Sequence, residues 1–147
     1  MEQLNLPPYT FKISEKDGKK LIYDEIRKKH LVLTPEEWVR QNFVMYLVHQ
    51  LKYPASRMGI EHALKYHQQQ KKADIVFFDS DLKPHLIVEC KASHIKVNNK
   101  VFEQAARYNM ALQVKYMIIT NGLQHYCCMM DYENNTYRFL QEIPEYQ

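Results

Sequence analysis

The chain has 147 residues, which is enough for one domain with a sizeable hydrophobic core. Hydrophobic residues make up 46% and charged residues 25%, a globular rather than a disordered composition. The formal net charge of +3 permits a polyanionic partner, and no apolar run is long enough to span a membrane. The three cysteines form neither a disulfide framework nor a Cys-x-x-Cys zinc pair, and no signal peptide is apparent. We therefore expect a reduced, cytoplasmic protein that is not attached to a membrane.

The N-terminal segment is predicted to form a β-hairpin. Residues 9–14 and 19–23 have strand-like composition, and the favourable turn dipeptide Asp17-Gly18 lies between them. A basic run follows, made of Arg27, Lys28, Lys29 and His30. Such a run is usually a solvated surface, but its first three residues are also candidates for contact with nucleic-acid phosphates. We treat residues 1–33 as an extension ahead of the main domain.

A helix is predicted from Thr34 to about Gln50. Thr34 can cap this helix, and Pro35 suits its first position. Glu37 stands where a capping-box glutamate would bond back to the cap. The face expected to be buried repeats at helical spacing and consists of Trp38 or Val39, Phe43, Tyr46 and Leu47.

Three strands are predicted next, and the last two form a hairpin. Apolar and polar residues alternate within residues 56–67, which favours a strand over a second helix. Residues 68–72 are interpreted as the turn that follows. Asp74 precedes an apolar run at 75–78, which a polar turn at 79–84 separates from a second apolar run at 86–88, so the two runs are expected to pair.

The charged residues of this hairpin are the strongest functional signal in the chain. Side chains alternate along a strand, so Glu89 and Lys91 share one face while Cys90 points to the other. Asp74, at the start of the neighbouring antiparallel strand, can reach the same place. Two carboxylates and a lysine that converge there suit a hard divalent cation beside an activated water. The alternative is a plain salt bridge at a strand end, since structural ion pairs are common.

A second helix and three more strands complete the predicted elements. The helix spans about residues 98–112, where Gln104 and Tyr108 are neighbours on one surface. A strand is expected at 116–120, and a final hairpin at 123–130 and 136–140.

This order of elements predicts an α/β fold with α/β/α layers, in which helices flank a central mixed β-sheet and β-hairpins stand at the N- and C-terminal ends. The connection through the second helix is a crossover between parallel strands, expected to be right-handed. We expect a single domain over residues 1–147, with its core at 34–122 and a C-terminal hairpin at 123–147.

Several of these residues resemble a known family of enzymes. Asp74, followed by Glu89-x-Lys91 at the end of the next strand, resembles the signature of the PD-(D/E)XK nucleases, which have a restriction-endonuclease-like fold. Gln104-x-x-x-Tyr108 resembles the extra motif of the RecB-like branch of that superfamily.

A closer likeness is to the N-terminal nuclease domain of type I restriction enzyme R subunits. It is carried by Thr34-Pro-Glu-Glu-Trp-Val-Arg, Val88-Glu-Cys-Lys-Ala, Gln104-Ala-Ala-Arg-Tyr-Asn and Thr120-Asn-Gly. R subunits carry an ATP-driven motor after this domain, whereas this sequence contains no Gly-x-x-x-x-Gly-Lys-Ser/Thr loop. The resemblance therefore implies a nuclease domain without a motor.

The resemblance also implies roles for individual residues in phosphodiester hydrolysis. Asp74, Glu89 and the backbone carbonyl of Cys90 would hold Mg²⁺, with Mn²⁺ as a substitute. Lys91 would orient or help to deprotonate the attacking water and offset charge on the phosphate. Glu37 matches the helix glutamate that assists the metal site in the family.

The second helix would contribute to DNA binding. Gln104 and Tyr108 would position the DNA backbone or the water at the metal, and Lys100 and Arg107 would present positive charge to phosphate groups.

Three functions are compatible with the sequence. The first is a metal-dependent DNA endonuclease of restriction or DNA-processing type. The second is a nucleic-acid-binding module that keeps the fold but needs a partner to cut or no longer cuts. The third is a structural or protein-interaction domain whose ion pairs are only architectural. Further partners to expect are a separate motor or restriction-modification complex, and a second copy of the chain, because a symmetric dimer would suit a double-strand cut.

Overall fold

The computed structural model describes residues 1–66 and 69–147 and contains two β-sheets. The first, which we call the N-terminal sheet, is an antiparallel meander of β1 (Ile13–Lys16), β2 (Lys19–Asp24) and β3 (Lys29–Val32). The predicted turn at Asp17-Gly18 is confirmed, with φ of 53° and 77° at the two residues, as a two-residue hairpin turn requires. The strand β3 was not predicted, because its basic residues resemble a solvated loop.

The second sheet has six strands in the order β4-β5-β6-β7-β8-β9. These strands are β4 (Met58–Tyr66), β5 (Gln69–Phe78), β6 (Pro84–Cys90), β7 (Tyr116–Thr120), β8 (His125–Asp131) and β9 (Thr136–Leu140). All neighbours are antiparallel except β6 and β7, which are parallel. The parallel pair is joined by a helix, as the sequence predicts for a crossover.

The turn predicted at residues 68–72 differs from the structure. Gln68 lies outside the described residues, but residues 69–72 already belong to β5 and pair with β4. The polar residues of this segment extend a strand whose side chains are exposed at Gln70, Lys71 and Lys72. A prediction based on polarity alone therefore puts the first residue of β5 too far along the chain.

Two helices pack against the six-stranded sheet. The first, α1 (Pro35–Met45), is capped by Thr34, whose Oγ1 accepts from the backbone N–H of Glu37 at 3.0 Å. It continues as a single π-helical turn to Gln50, which agrees with the predicted end. The second, α2 (Asn99–Leu112), is capped by Asn98 and ends at Gln113, whose φ is 58°.

The helices lie on opposite faces of the sheet. Side chains of α1, among them Phe43 and Leu47, pack against Phe77, Val88 and Ile118. Those of α2 pack against the other face, where Phe102 and Ala106 meet the alternate residues of β7 and β8. Of the residues predicted to be buried in α1, Val39, Phe43 and Leu47 are fully buried, whereas Trp38 and Tyr46 are half-buried. The predicted α/β/α fold around a mixed sheet is confirmed. Among the described residues, neither helix combines the length and apolar character needed to cross a membrane.

Candidate active site

The candidate site lies where β5 and β6, the second and third strands of the six-stranded sheet, run side by side. The register pairs Ile75 with Val88, so Asp74 and Glu89 stand opposite each other one residue further along. Asp74 lies within β5 rather than at its start, because β5 continues to Gln69 beside β4. One carboxylate oxygen of Asp74 accepts from the backbone N–H of Cys90 at 2.8 Å. This bond fixes Asp74 against the end of β6.

The other oxygen of Asp74 is bound by an arginine of α1. Nη2 of Arg40 donates to Oδ1 of Asp74 at 2.8 Å, and Nη1 of Arg40 donates to Glu37 at 2.6 Å. Glu36 lies 3.0 Å and Glu61 3.5 Å from the same guanidinium. Burial opposes the charge on Arg40, but the hydrogen bond with Asp74 and the charge of Glu37 outweigh it and raise the Arg40 pKa above its ordinary value.

A second arginine joins the N-terminal sheet to this group. The Arg27 guanidinium contacts Asp24 at 2.5 Å, Glu61 at 2.7 Å and Glu37 at 2.9 Å. We call the two arginines with their carboxylates the arginine cluster; it comprises Arg27, Arg40, Asp24, Glu36, Glu37, Glu61 and Asp74. Removing one partner from such a buried group leaves an uncompensated charge, so the cluster fixes β2, α1, β4 and β5 to one another.

The backbone of β4 is distorted where it meets Asp74. Glu61 lies opposite Asp74 in the register, but this pair is not joined, although the pairs on both sides of it are. Glu61 has a φ of 48°, which is uncommon for a residue other than glycine, asparagine or aspartate. Two like charges opposite each other would be destabilising, and both are within reach of Arg40.

Glu89 has a different environment. Burial, followed by the charge of Asp74, raises the pKa of Glu89, while Lys71 and Lys91 oppose this shift. The ammonium group of Lys71 lies 4.3 Å from the ring centroid of Tyr108. Burial and the charge of Glu89 raise the pKa of the Tyr108 hydroxyl. Glu89, Lys71, Lys91 and Tyr108 are therefore close together on the α2 side; we call them the Glu89 group.

The remaining predicted residues of α2 lie on its surface. Gln104 is exposed one turn before Tyr108, and Lys100 and Arg107 are exposed on the same helix. Lys91 is half-buried and its backbone N–H donates to the carbonyl of Thr120 at 2.8 Å. The structure thus brings Asp74, Glu89, Lys91 and Tyr108 together, with the exposed residues of α2 beside them.

Glu37 does not form the predicted capping box. Its carboxylate is buried and accepts from Arg27, Arg40 and Gln41. The backbone N–H of Thr34, which a capping box would satisfy, donates to the carbonyl of Val32 instead. The Thr34 cap is confirmed, but Glu37 is turned away from it by the two arginines. Glu37 is connected to Asp74 through Arg40.

The three basic residues of the N-terminal segment that were predicted to contact DNA have different environments in the structure. The Arg27 side chain is only 12% exposed and is turned inward to three carboxylates. Lys28 and Lys29 are exposed. DNA contact by these two lysines stays a prediction, whereas the guanidinium of Arg27 is engaged inside the protein.

A cavity of about 520 Å³ opens beside the arginine cluster. Its walls come from β3, the first turn of α1, β4 and the segment after β6, and include Val32, Glu36, Arg40, Glu61 and His94. The cavity is therefore lined in part by the arginine cluster, through Glu36, Arg40 and Glu61.

The donor atoms at Asp74 and Glu89 fit a hard divalent cation. Each carboxylate oxygen of Asp74 accepts one hydrogen bond and keeps a further lone-pair site. Glu89 adds a second carboxylate whose raised pKa reflects burial beside a like charge. Within the described residues, no three histidine, cysteine or acidic side chains form a metal-binding group. Mg²⁺ often uses only one or two carboxylates and keeps several waters, so this donor set suits Mg²⁺ better than Zn²⁺.

Sequence reasoning missed two residues at this site. Arg40 was not singled out, although its spacing of four and three residues from Glu36 and Glu37 is typical of helical ion pairs. Lys71 was assigned to a turn, and only its position in β5 brings it to Tyr108.

Comparisons with known proteins identify the family. A family model described as the type I restriction enzyme R protein N terminus matches residues 35–144. One similar solved structure is described as a fragment of an HsdR subunit of a type I restriction enzyme from Vibrio vulnificus YJ016. The two share 21% identity with a TM-score of 0.53, and the match covers 77% of this chain but 24% of that one. No curated protein matches the sequence. Because the family model covers about three quarters of the residues, the chain belongs to the family of N-terminal domains of type I restriction enzyme R proteins.

Proposed function

We propose that this domain is a metal-dependent DNA endonuclease with a PD-(D/E)XK-type site at Asp74, Glu89 and Lys91. The observation that carries the proposal is that Asp74 and Glu89 lie next to the paired residues Ile75 and Val88 on the neighbouring strands β5 and β6, with Lys91 on the Glu89 side. Family membership supports the same conclusion, because R proteins are components of restriction enzymes.

Asp74 and Glu89, with the backbone carbonyl of Cys90, would hold Mg²⁺ or Mn²⁺. When bound, such an ion stabilises the negative charge that develops on the phosphate. The two carboxylates have different tasks before binding. Arg40 and the Cys90 N–H hold Asp74 in one position, whereas Glu89 is half-buried and would supply the second carboxylate for the cation.

The other residues would act on the nucleic acid and the water. Lys91 would orient the attacking water and offset charge on the phosphate. Tyr108, close to Glu89 and Lys71, would position the DNA backbone, and Gln104 would do so from the next turn of α2. Lys100 and Arg107 are exposed on that helix and would contact phosphates.

The biological context we propose is a restriction-modification system. The chain spans about a quarter of the length of the HsdR fragment it resembles, so translocation and assembly in the whole enzyme are proposals for this protein. In such a system the domain would work with a motor and a methyltransferase, and a dimer of this domain would place two sites on the two DNA strands.

The direct test is cleavage of supercoiled plasmid with Mg²⁺ or Mn²⁺ and no other protein. Metal titration by calorimetry should show binding that is lost in Asp74→Asn and in Glu89→Gln. Glu133→Gln, which neutralises an exposed carboxylate outside the site, is the control and should bind as the unmodified protein does. Unchanged metal binding in both site variants would exclude the assignment.

A second candidate is a nucleic-acid-binding module that does not cut by itself. The observation in its favour is the Arg40 guanidinium, which occupies one oxygen of Asp74 and places a positive charge beside the proposed metal position. In that case the protein would bind DNA with or without metal and leave plasmid intact until a partner is added.

A further inference from the structure

The outer face of the N-terminal sheet has a composition that the nuclease site does not explain. The register places Ile22 and Asp24 on the inner face, where both are buried. The alternate residues form the opposite, outer face, which consists of Lys12, Ser14, Lys16, Lys19, Leu21, Tyr23, His30 and Val32. All of these except Leu21 and Tyr23, which are half-buried, are exposed.

Positive charge on the outer face is not neutralised by neighbouring carboxylates. In the part of the chain that the structure describes, every ion pair involves Arg27 or Arg40, so Lys12, Lys16 and Lys19 have no carboxylate within 4 Å. Lys16 and Lys19 are directly opposite each other. Like charges in such a cross-strand pair are destabilising, and a bound polyanion would remove that repulsion.

Aromatic rings lie at the other end of the same face. The rings of Tyr23 and His30 are 5.0 Å apart, and the ammonium group of Lys12 lies 5.7 Å from the Tyr23 ring. Single-stranded nucleic acids are bound by this combination, because lysines contact the phosphates while aromatic side chains stack on unpaired bases.

We propose that the outer face of the N-terminal sheet binds single-stranded nucleic acid. Lys16 ends β1 and Lys12 immediately precedes it, so the two lysines are four residues apart, about 13 Å along extended chain. The face would therefore hold a short stretch of backbone. The family match begins at residue 35, so this sheet lies outside the matched part of the chain. The biological role of this surface rests on the proposed nuclease function. The surface adds to that function a preference for single-stranded nucleic acid.

The arginine cluster would hold this bound strand at a fixed place relative to the candidate site. Arg27 bonds Asp24 of the N-terminal sheet to Glu37 of α1 and Glu61 of β4. A strand on the outer face would therefore be attached to the same rigid unit as Asp74.

Binding can be tested separately from cutting by using fluorescence anisotropy without divalent metal. The probe is a labelled single-stranded oligonucleotide of about 12 nucleotides at low salt, compared with a duplex of the same length and with vesicles of anionic lipid. The test variant is Lys16→Gln with Lys19→Gln. Lys52→Gln with Lys83→Gln removes the same charge from exposed positions outside this sheet and is the control. His30→Ala tests stacking at an exposed ring.

The lysine pair variant should weaken oligonucleotide binding at least fivefold and lower the slope of log affinity against log salt by about 1.4, the value for two single-strand phosphates. The control should change affinity less than twofold, and His30→Ala should weaken binding with little change in slope. Equal losses in the test and control variants, duplex binding as tight as single-strand binding, or binding to vesicles alone would each overturn the proposal. If the unmodified protein binds the oligonucleotide but does not cleave plasmid, only the proposed nuclease function would be contradicted.

Discussion

Asp74 and Glu89 lie at adjoining positions on the neighbouring strands β5 and β6, yet their surroundings differ. Both oxygens of Asp74 accept hydrogen bonds within the protein, one from Arg40 and one from a backbone N–H. Glu89 instead lies among lysines and a tyrosine, and its pKa is raised by burial and by the charge of Asp74. The Asp74 carboxylate is held in place by hydrogen bonds, whereas the negative charge of Glu89 is poorly compensated by its neighbours.

This difference suggests a division of labour across the site. The arginine cluster is a positioning device that determines where Asp74 stands and how α1 meets β5. Apart from Asp74, which would also hold the metal, the residues that would act on water, metal and phosphate lie in the Glu89 group or beside it on α2. Substitutions in the cluster should therefore affect stability first, while substitutions in the Glu89 group should affect chemistry with little cost to the fold.

The largest effect is expected for Lys91→Ala. Cutting should fall at least a thousandfold, about 4 kcal/mol of transition-state stabilisation, because the ammonium group beside Glu89 is lost. DNA affinity and melting temperature should stay near those of the unmodified protein, since Lys91 forms no ion pair with a carboxylate in the described residues. A single-turnover assay measures the rate, and calorimetry measures the melting temperature.

Lys96→Ala is the control for Lys91→Ala, because Lys96 is an exposed lysine of the following loop. Its cutting rate should change little. A large fall in melting temperature of Lys91→Ala with cutting preserved would show that the ion-pair alternative was correct.

Arg40→Gln should have the largest effect on stability. The Arg40 side chain is 7% exposed and contacts four carboxylates. Among the described residues, removing it leaves Asp74 without a charged partner and Glu37 with Arg27 as its only one, at a cost of about 3–5 kcal/mol. Urea denaturation measures the loss, and Arg138→Gln at an exposed position is the control. A loss below 1 kcal/mol for Arg40→Gln would mean that the cluster does not position Asp74.

Within the Glu89 group, Glu89 and Lys91 could be predicted from the sequence because their signals are local, whereas Lys71 could not. Glu89 and Lys91 share a face through strand alternation, and the turn at residues 79–84 sets which residues of β5 lie opposite. The arginine cluster could not be predicted, since Arg40 reaches Glu61 and Asp74, which are 21 and 34 residues away and belong to other elements. A charged residue in an amphipathic helix is usually exposed. Arg40 is buried, and the carboxylates of Glu61 and Asp74 that pair with it are distant in the chain.

Most of the fold could be predicted because its signals are also local in the sequence. Hydrophobic alternation and turn dipeptides locate the hairpins, and Thr34-Pro35 locates the start of α1. The strand β3 and the first residues of β5 escaped prediction because their lysines, histidine and glutamines are polar residues on exposed strand surfaces. Such strands form through pairing with a neighbour rather than through burial of their own side chains.

Glu37→Gln tests the connection between the arginine cluster and the chemistry of the candidate site. Glutamine keeps the size of the side chain but removes the charge between Arg27 and Arg40, at a cost of roughly 1.5–3 kcal/mol in stability. Both arginines keep other carboxylates, so this loss should be smaller than that of Arg40→Gln. Cutting should fall about tenfold, or ~1.4 kcal/mol, because Arg40 holds Asp74 less firmly.

Thr34→Ala is the matched control for Glu37→Gln in the same turn of α1. It removes only the helix cap and should cost about 1 kcal/mol in stability with cutting unchanged. If both variants reduce cutting equally, the effect of Glu37→Gln arises from helix stability rather than from Asp74.

The smallest expected effect is a gain in stability for Glu89→Gln without metal. Burial and the charge of Asp74 raise the folded-state pKa of Glu89 above its ordinary value of 4.5. The folded protein therefore binds this proton more tightly than the unfolded chain, and ionisation of Glu89 destabilises the fold as the pH rises above about 4.5. At pH 7 the variant should melt about 2–4 °C higher than the unmodified protein, and the difference should disappear below pH 4.5, where both carry a neutral side chain. Saturating Mg²⁺ should reverse the order at pH 7, because only the protein with the carboxylate would gain stability from the ion. A melting temperature that is equal at all pH values would mean that Glu89 is as well solvated as in the unfolded chain, and the contrast with Asp74 would then be lost.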